Sequence, residues 1–425
     1  MMTLSALDAD LIYFAELDRR LVKVVRSIRM LDALSWPASI QQQFLAGVHL
    51  GVSRLPKPEY EKHDFQDIRE ELDAIQHECR FADDHPVGNY VRRTAESWEI
   101  TTRMIDAAGT VQITEHSARL FGQPGDLLPG SDAHNLDAAE HFVELADELS
   151  SELATAEADY CLSAEIMQSE LQQRLDAFFV HHHISVEIDP QLTAKAAAGP
   201  TRIRLRSATA FSEYDRHQLL EHEAFVHSLT ALNGREQPHL ASMARNSPRI
   251  TATQEGLATF AELITGSIDI GRMKRISLRI IAIDMALRGA DFIQIFRFFQ
   301  GHGQTDSDSF ASAARVFRGA PVTGGAAFTK DTVYLHGLLS VHTFFRWALK
   351  NKRLKLCRNL FAGKMTLHDV IALEPWFDSG YIEQPLYLPP WVQRANGLAG
   401  MLAFSLFANK IRLDRIDAWD LKFGA

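Results

Sequence analysis

Two histidines and a carboxylate within one predicted helix constrain this chain more than any other feature of its sequence. The segment is Glu221-His222-Glu223-Ala224-Phe225-Val226-His227. A capping-box-like start at Ser212 and a stop at Asn233-Gly234 frame it as a helix. The histidines are five residues apart, which places them about 140° apart around a regular α-helix. We therefore predict a π-bulge between them, because i→i+5 bonding would bring both imidazoles to one side.

A second carboxylate, Glu255, completes a set of metal ligands. It lies 28 residues past His227, in the first turn of a predicted helix with Thr253 as its N-cap. That separation allows this helix to return antiparallel to the first. Two histidines and one glutamate around an open fourth position are the ligands of a hydrolytic zinc site. We therefore predict one Zn²⁺ ion bound by His222, His227 and Glu255.

Three neighbouring residues take supporting roles in this interpretation. Glu223 follows the first histidine and would be the general base, taking a proton from the zinc-activated water and delivering it to the leaving amine. Gly256 would allow the two helices to approach closely. Glu262, two turns after Glu255, would orient a ligand histidine. The alternative is a pair of ordinary surface histidines beside a solvated carboxylate.

The rest of the sequence predicts an α+β protein that is mostly helical. Residues 1–177 show helical apolar spacing, which indicates an N-terminal helical region. After this region the segments 184–188 and 202–206 alternate like half-buried strands, with a turn at 198–200 between them. We predict that residues 178–425 form a catalytic domain in which a small β-sheet lies beside the metal-binding helix.

Composition argues against several classes of partner. The formal charge is −10, from 44 basic and 54 acidic residues, whereas nucleic-acid binding needs a basic face. No apolar run reaches the length of a membrane span, and residues 1–16 lack the uninterrupted apolar core of a signal peptide. Cys79, Cys161 and Cys357 are too scattered for a disulfide framework. We expect a cytoplasmic protein that binds neither nucleic acid nor membrane.

Two motifs together resemble a known family. His222-Glu223-x-x-x-His227, followed by Gln254-Glu255-Gly256-Leu257-Ala258, is similar to the bacterial flavohaemoglobin expression-modulating QEGLA motif proteins. The same pattern resembles the eukaryotic microtubule-associated tyrosine carboxypeptidases, with further matches at 315–319 and 328–337. The resemblance is good over residues 178–413 and looser before them. It implies a zincin-like, gluzincin-type metallopeptidase with His222, His227 and Glu255 as ligands and Glu223 as base.

A carboxypeptidase must also neutralise the terminal carboxylate of its substrate. Arg315 and Arg318, three residues apart on a predicted helical segment, could share one face and bind it, together with Lys330. Tyr334 is a candidate donor to the oxyanion that develops on the attacked carbonyl. The alternative for the arginines is a structural role in salt bridges.

The sequence therefore predicts a zinc-dependent metallopeptidase, and specifically a carboxypeptidase that acts on the C-terminus of a peptide or protein. One alternative is a metal-binding regulatory protein that holds a peptide tail with little turnover. Another is a processing protease dedicated to one modified peptide. The preferred terminal residue, exopeptidase against endopeptidase action, the native metal and the oligomeric state stay open at this point.

Overall fold

Helices dominate the fold, and one small sheet accompanies them. The computed structural model of the chain describes residues 4–81, 84–153, 162–190, 192, 195–207 and 209–411. The predicted α+β class with dominant helix is confirmed. Of the cysteines, Cys79 and Cys357 are buried free thiols, whereas Cys161 lies outside the described residues.

The N-terminal helices account for most of the described residues before the sheet. They are α1 (Leu4–Val24), α2 (Met30–Leu34), α3 (Ala38–His49), α4 (Gln66–Glu78), α5 (Pro86–Asp106), α6 (Ile113–Phe121), α7 (Asn135–Leu153) and α8 (Ala164–Phe178). The predicted helical character of this region is confirmed.

The small sheet has three strands in the order β1-β3-β2. They are β1 (Ser185–Asp189), β2 (Ala196–Ala198) and β3 (Arg202–Arg206). β1 pairs parallel to β3, with Val186 opposite Ile203, and β2 pairs antiparallel to β3. The two predicted strands are confirmed, whereas β2 is an addition that the sequence did not indicate. The inward side chains of Val186, Ile203 and Leu205 are buried in the core, so the sheet covers one side of the helix that follows.

The helix that carries both histidines consists of three consecutive segments. They are α9 (Glu213–Leu219), a π-helix (Leu220–Ser228) and α10 (Leu229–Arg235). The predicted capping box is present, since Ser212 and Asp215 each accept a hydrogen bond from the other's backbone amide. Ser228 donates a hydrogen bond of 2.9 Å to the carbonyl of Gly199, which fixes the end of the π-helix against the loop between β2 and β3.

The remaining described residues are mostly helical. Their helices are α11 (Thr251–Ile264), α12 (Ile270–Leu287), α13 (Phe292–Gly301), α14 (Asp306–Val316), α15 (Val333–Lys350), α16 (Lys355–Asn359), α17 (Leu367–Ala372), α18 (Glu374–Asp378), α19 (Pro390–Gln393) and α20 (Ala395–Ala408). No helix among the described residues is long and apolar enough to cross a membrane.

Two clusters of buried apolar side chains hold the described elements together. One includes Phe14 of α1 and Phe345 of α15, and the other includes Phe44 of α3 and Phe292 of α13. Each cluster therefore takes residues from both sides of the boundary expected between residues 177 and 178. The division of the chain into two domains at that point stays a prediction.

Helices α11 and α15 cross at a pair of glycines. A Cβ built on Gly256 would collide with the backbone of Gly337, and a Cβ on Gly337 would collide with the carbonyl of Ala252. The expectation that Gly256 serves close approach to the histidine-bearing helix is wrong, because the surface it packs against belongs to α15. The contact nonetheless matters for the site, since it fixes the helix on which Glu255 lies.

Candidate metal centre

The π-helix brings the two histidines together. A regular α-helix would turn side chains at this spacing well apart, whereas i→i+5 bonding returns the second to the side of the first. The rings of His222 and His227 have centroids 4.9 Å apart and planes at 81°. The predicted distortion is confirmed, and its effect is that both Nε2 atoms face α11.

Glu255 on α11 supplies the third converging atom. Its Oε2 lies 3.5 Å from Nε2 of His222 and 3.6 Å from Nε2 of His227, and the three donor atoms all lie within 4.8 Å of one another. Tetrahedral zinc, with bonds of about 2.0 to 2.2 Å, holds its ligand atoms about 3.3 to 3.6 Å apart. The two nitrogen–oxygen separations fit such an ion, and two imidazole nitrogens with a carboxylate oxygen are ligands that zinc takes.

A buried chain of hydrogen bonds connects His222 to Glu262 and Arg272. Nδ1 of His222 donates a hydrogen bond of 2.6 Å to Oε1 of Glu262, whose side chain is fully buried. Arg272 of α12 donates to both oxygens of Glu262, from Nε at 3.2 Å and from Nη2 at 3.1 Å. Because Nδ1 is occupied in this way, Nε2 of His222 is left to face Glu255.

Charges in the site favour ionised Glu255. Burial alone would raise its pKa, but the Lys330 ammonium and hydrogen bonds from both histidines hold that pKa well below its usual range. Burial opposes the charged form of His222, but its carboxylate partners raise its pKa well above the ordinary value. The ionised Glu255 carboxylate is therefore available to a cation, whether a proton on a histidine or a metal ion.

Glu223 lies on the π-helix directly after His222 and is half-buried. Its carboxylate favours the charged forms of both His222 and Lys364. Lys364 is buried, and its Nζ donates to Oε1 of Gln254 at 3.0 Å and to the carbonyl of His227 at 3.3 Å. Burial lowers the pKa of Lys364 to about 7. Gln254 and Lys364 thus share a buried hydrogen-bond network beside the three converging donors, and the Glu223 charge acts on it.

The predicted substrate-binding residues lie near one another, but Arg315 and Arg318 do not lie on one helix. Arg315 is the last basic residue of α14, whereas Arg318 lies in the turn beyond its end, so the expected shared helix face is wrong. Arg315 makes a bidentate pair with buried Asp331, with Nε–Oδ2 and Nη2–Oδ1 distances of 2.6 Å. Lys330 places its Nζ 3.6 Å from Oε1 of Glu255.

Tyr334, in the first turn of α15, lies among these cations. Nζ of Lys330 is 5.7 Å from the centroid of its ring, and the guanidinium carbon of Arg279 is 5.9 Å from the same centroid. These separations are those of cation–π contacts. Arg279 comes from α12, two turns after Arg272, and sequence reasoning did not include either arginine in the site.

Comparison with known families identifies the family of this chain. A sequence model of the family described as microtubule-associated tyrosine carboxypeptidase matches residues 42–410. The chain belongs to that family. Its membership supports a peptidase that acts on a protein substrate. No curated protein matches the chain.

The match to the tyrosine carboxypeptidase family spans every residue of the candidate site, while α1 and α2 precede it. Within the matched residues, sequence reasoning missed Arg272, Arg279, Asp331 and Lys364. A signal existed for the two arginines, since they interrupt the apolar face of a helix that is otherwise rich in isoleucine. Lys364 stands alone between apolar neighbours in 360–365, and nothing in that stretch points to a partner so distant in sequence.

Proposed function

We propose that this protein is a zinc-dependent carboxypeptidase, with a zincin-like site of the gluzincin type. The observation that carries the proposal is the convergence of Nε2 of His222, Nε2 of His227 and Oε2 of Glu255. The distance from each histidine nitrogen to the Glu255 oxygen matches ligand separations around a tetrahedral zinc ion, and the donor set is that of hydrolytic zinc sites. Family membership supports the carboxypeptidase part of the proposal.

When bound, zinc would lower the pKa of a water molecule and polarise the carbonyl of the scissile peptide bond. Glu223, which follows a ligand histidine and is half-buried, would accept a proton from the attacking water and pass it to the departing amine. Glu262 and Arg272 would hold the His222 ring so that Nε2 stays available to the metal.

Substrate recognition rests on the cations around Tyr334. A C-terminal carboxylate needs hydrogen-bond donors of positive charge, and Lys330 supplies one beside Glu255. Arg315 and Arg318, near Asp331 and Tyr334, add positive charge to the same region. The Tyr334 hydroxyl would donate a hydrogen bond to the oxyanion that forms on the attacked carbonyl. The positive charges would favour peptides with a free C-terminus over amidated ones.

The test compares chelator-treated protein with zinc-reconstituted protein on paired peptides that differ only in a free or amidated C-terminus. A set that varies the terminal residue, analysed by mass spectrometry, would identify the preference. We expect loss of the terminal residue from free acids only, and only with zinc. Equal cleavage of amidated peptides would refute the carboxypeptidase assignment. Zinc binding without cleavage of any peptide would favour a metal-dependent peptide-binding role.

A further inference from the structure

Helix α12 directs two arginines toward the site from one face. Arg272 and Arg279 are seven residues apart, so they lie within about 20° of each other around the helix. Both side chains are largely buried, whereas Arg275 on the same helix is exposed. Arg272 donates hydrogen bonds to both carboxylate oxygens of Glu262. Arg272 is therefore held by Glu262, which leaves Arg279 as the arginine of this face to consider for binding a ligand.

Arg315 already has its partner. Two of its donors meet the two oxygens of Asp331, at 2.6 Å each, and the Asp331 side chain is only 8% exposed. A substrate carboxylate that took over these donors would leave a buried aspartate without its bidentate partner, which is strongly unfavourable. Arg315 is thus better suited to hold Asp331 than to bind substrate.

Arg279 has no such partner. Its Nε is 3.7 Å from Oδ2 of Asp331, a charge contact beyond hydrogen-bonding distance, and its guanidinium makes no hydrogen bond among the residues that the structure describes. Lys330 is in a similar position, because its nearest carboxylate oxygen, on Glu255, is 3.6 Å away. Both cations lie within 6 Å of the centre of the Tyr334 ring.

We propose that Arg279 and Lys330 bind the α-carboxylate of the terminal residue of the substrate, and that the Arg315–Asp331 pair positions Arg279. The proposal rests on the proposed carboxypeptidase function and names the groups that would select a free C-terminus. A guanidinium with unused donors can bind a carboxylate through two parallel hydrogen bonds, and the Lys330 ammonium can add a third.

The balance of charge supports the same assignment. Arg279, Arg315 and Lys330 surround Asp331, and Lys330 also faces Glu255, which would be occupied as a metal ligand. Burial lowers the pKa of Arg279 to about 10, and the neighbouring Arg315 charge adds to the effect. A carboxylate brought by the substrate would supply the missing negative charge, so that binding would relieve repulsion among buried cations.

The test uses the peptide that zinc-loaded wild-type protein cleaves best, with Arg279→Gln compared with Arg275→Gln. Arg275 lies on the same helix but is exposed, so its variant controls for the substitution itself. For Arg279→Gln we expect KM to rise roughly 10- to 100-fold, as for loss of a charged hydrogen bond, with kcat and zinc content little changed. Arg279→Lys, which keeps the charge but not the fork, should recover part of the loss.

A binding measurement tests the proposal without requiring catalytic turnover. Calorimetry would compare N-acetyl-L-tyrosine with its amide on zinc-loaded wild-type and variant proteins. We expect the free acid to bind wild type more tightly than the amide does, and Arg279→Gln to abolish that difference while Arg275→Gln keeps it. An unchanged preference in Arg279→Gln and Arg279→Lys proteins that fold normally would overturn the proposal. Inactive wild-type protein that still prefers the acid would instead refute the peptidase function alone.

Discussion

Nδ1 of His222 donates a 2.6 Å hydrogen bond to Glu262, so a carboxylate without solvent exposure fixes the ring that would bind the metal. The carboxylate is fixed in turn by Arg272. In sites of this kind the partner behind the ligand sets the tautomer and the orientation of the imidazole. Three elements, the π-helix, α11 and α12, are thereby connected through the hydrogen bonds of Glu262.

Glu262→Gln should weaken zinc binding without removing a ligand. The amide is a weaker acceptor for the histidine N–H, and loss of partners of this kind costs about 10- to 100-fold in metal affinity. The measurement is zinc affinity by competition with a chromogenic chelator. Glu140→Gln, at an exposed position of α7, is the matched control and should leave affinity unchanged. Equal zinc affinities of the two variants would show that Glu262 does not support zinc binding.

Gly256→Ala should destabilise the fold and weaken zinc binding together. The new methyl group would collide with the backbone of Gly337, and overpacking of this kind costs about 1 to 3 kcal/mol or more. The displaced helix carries Glu255. Gly400→Ala in α20 is the control, because a Cβ there meets nothing within 4 Å and alanine favours helix by up to about 1 kcal/mol. Denaturant unfolding that ranks the two variants the other way would contradict the close contact between α11 and α15.

Asp18→Asn should change how stability depends on pH. Asp18 is fully buried in α1 and accepts hydrogen bonds from the backbone and side chain of Ser242; burial raises its pKa from 3.8 to about 6 in spite of these bonds. The folded state therefore binds more protons than the unfolded state between these values, and this group's contribution to stability falls as pH rises from about 4 to 6.

Asparagine does not titrate, so the Asp18→Asn variant avoids the loss of stability that ionisation of the buried carboxyl group causes as pH rises. Relative to wild type it should gain up to about 3 kcal/mol in unfolding free energy between pH 4 and 7. The measurement is chemical denaturation at several pH values, with Asp73→Asn at an exposed position of α4 as the control. Parallel stability profiles for wild type and Asp18→Asn would show that the carboxyl group titrates normally in the fold.

The sequence predicted the helix of His222 and His227 in detail because its signals are local. The capping box at Ser212 and Asp215 follows from two residues three apart, and the five-residue histidine spacing indicates a π-helix once both rings must face one ion. By contrast, β2 consists of three alanines, which have little preference for strand, and it exists because β3 offers it an edge.

Relationships between distant elements could not be predicted in the same way. The partner of Gly256 is Gly337, more than eighty residues on, and the choice of α15 over the histidine-bearing helix depends on packing. Arg315 and Arg318 looked equivalent by spacing, but α14 ends between them and Asp331 engages the first. The contact of Arg279 with Tyr334 joins α12 and α15, and no local pattern in the sequence indicates it.

The most direct test compares wild-type protein with Glu223→Gln, both loaded with zinc and incubated with the same free-acid peptides. We predict about one zinc per chain in each protein, with the terminal residue lost only in the presence of wild type. Glutamine keeps the size of the side chain but cannot accept the proton of the attacking water. Comparable cleavage by both proteins at equal zinc content would contradict the assignment of this centre as the site of hydrolysis.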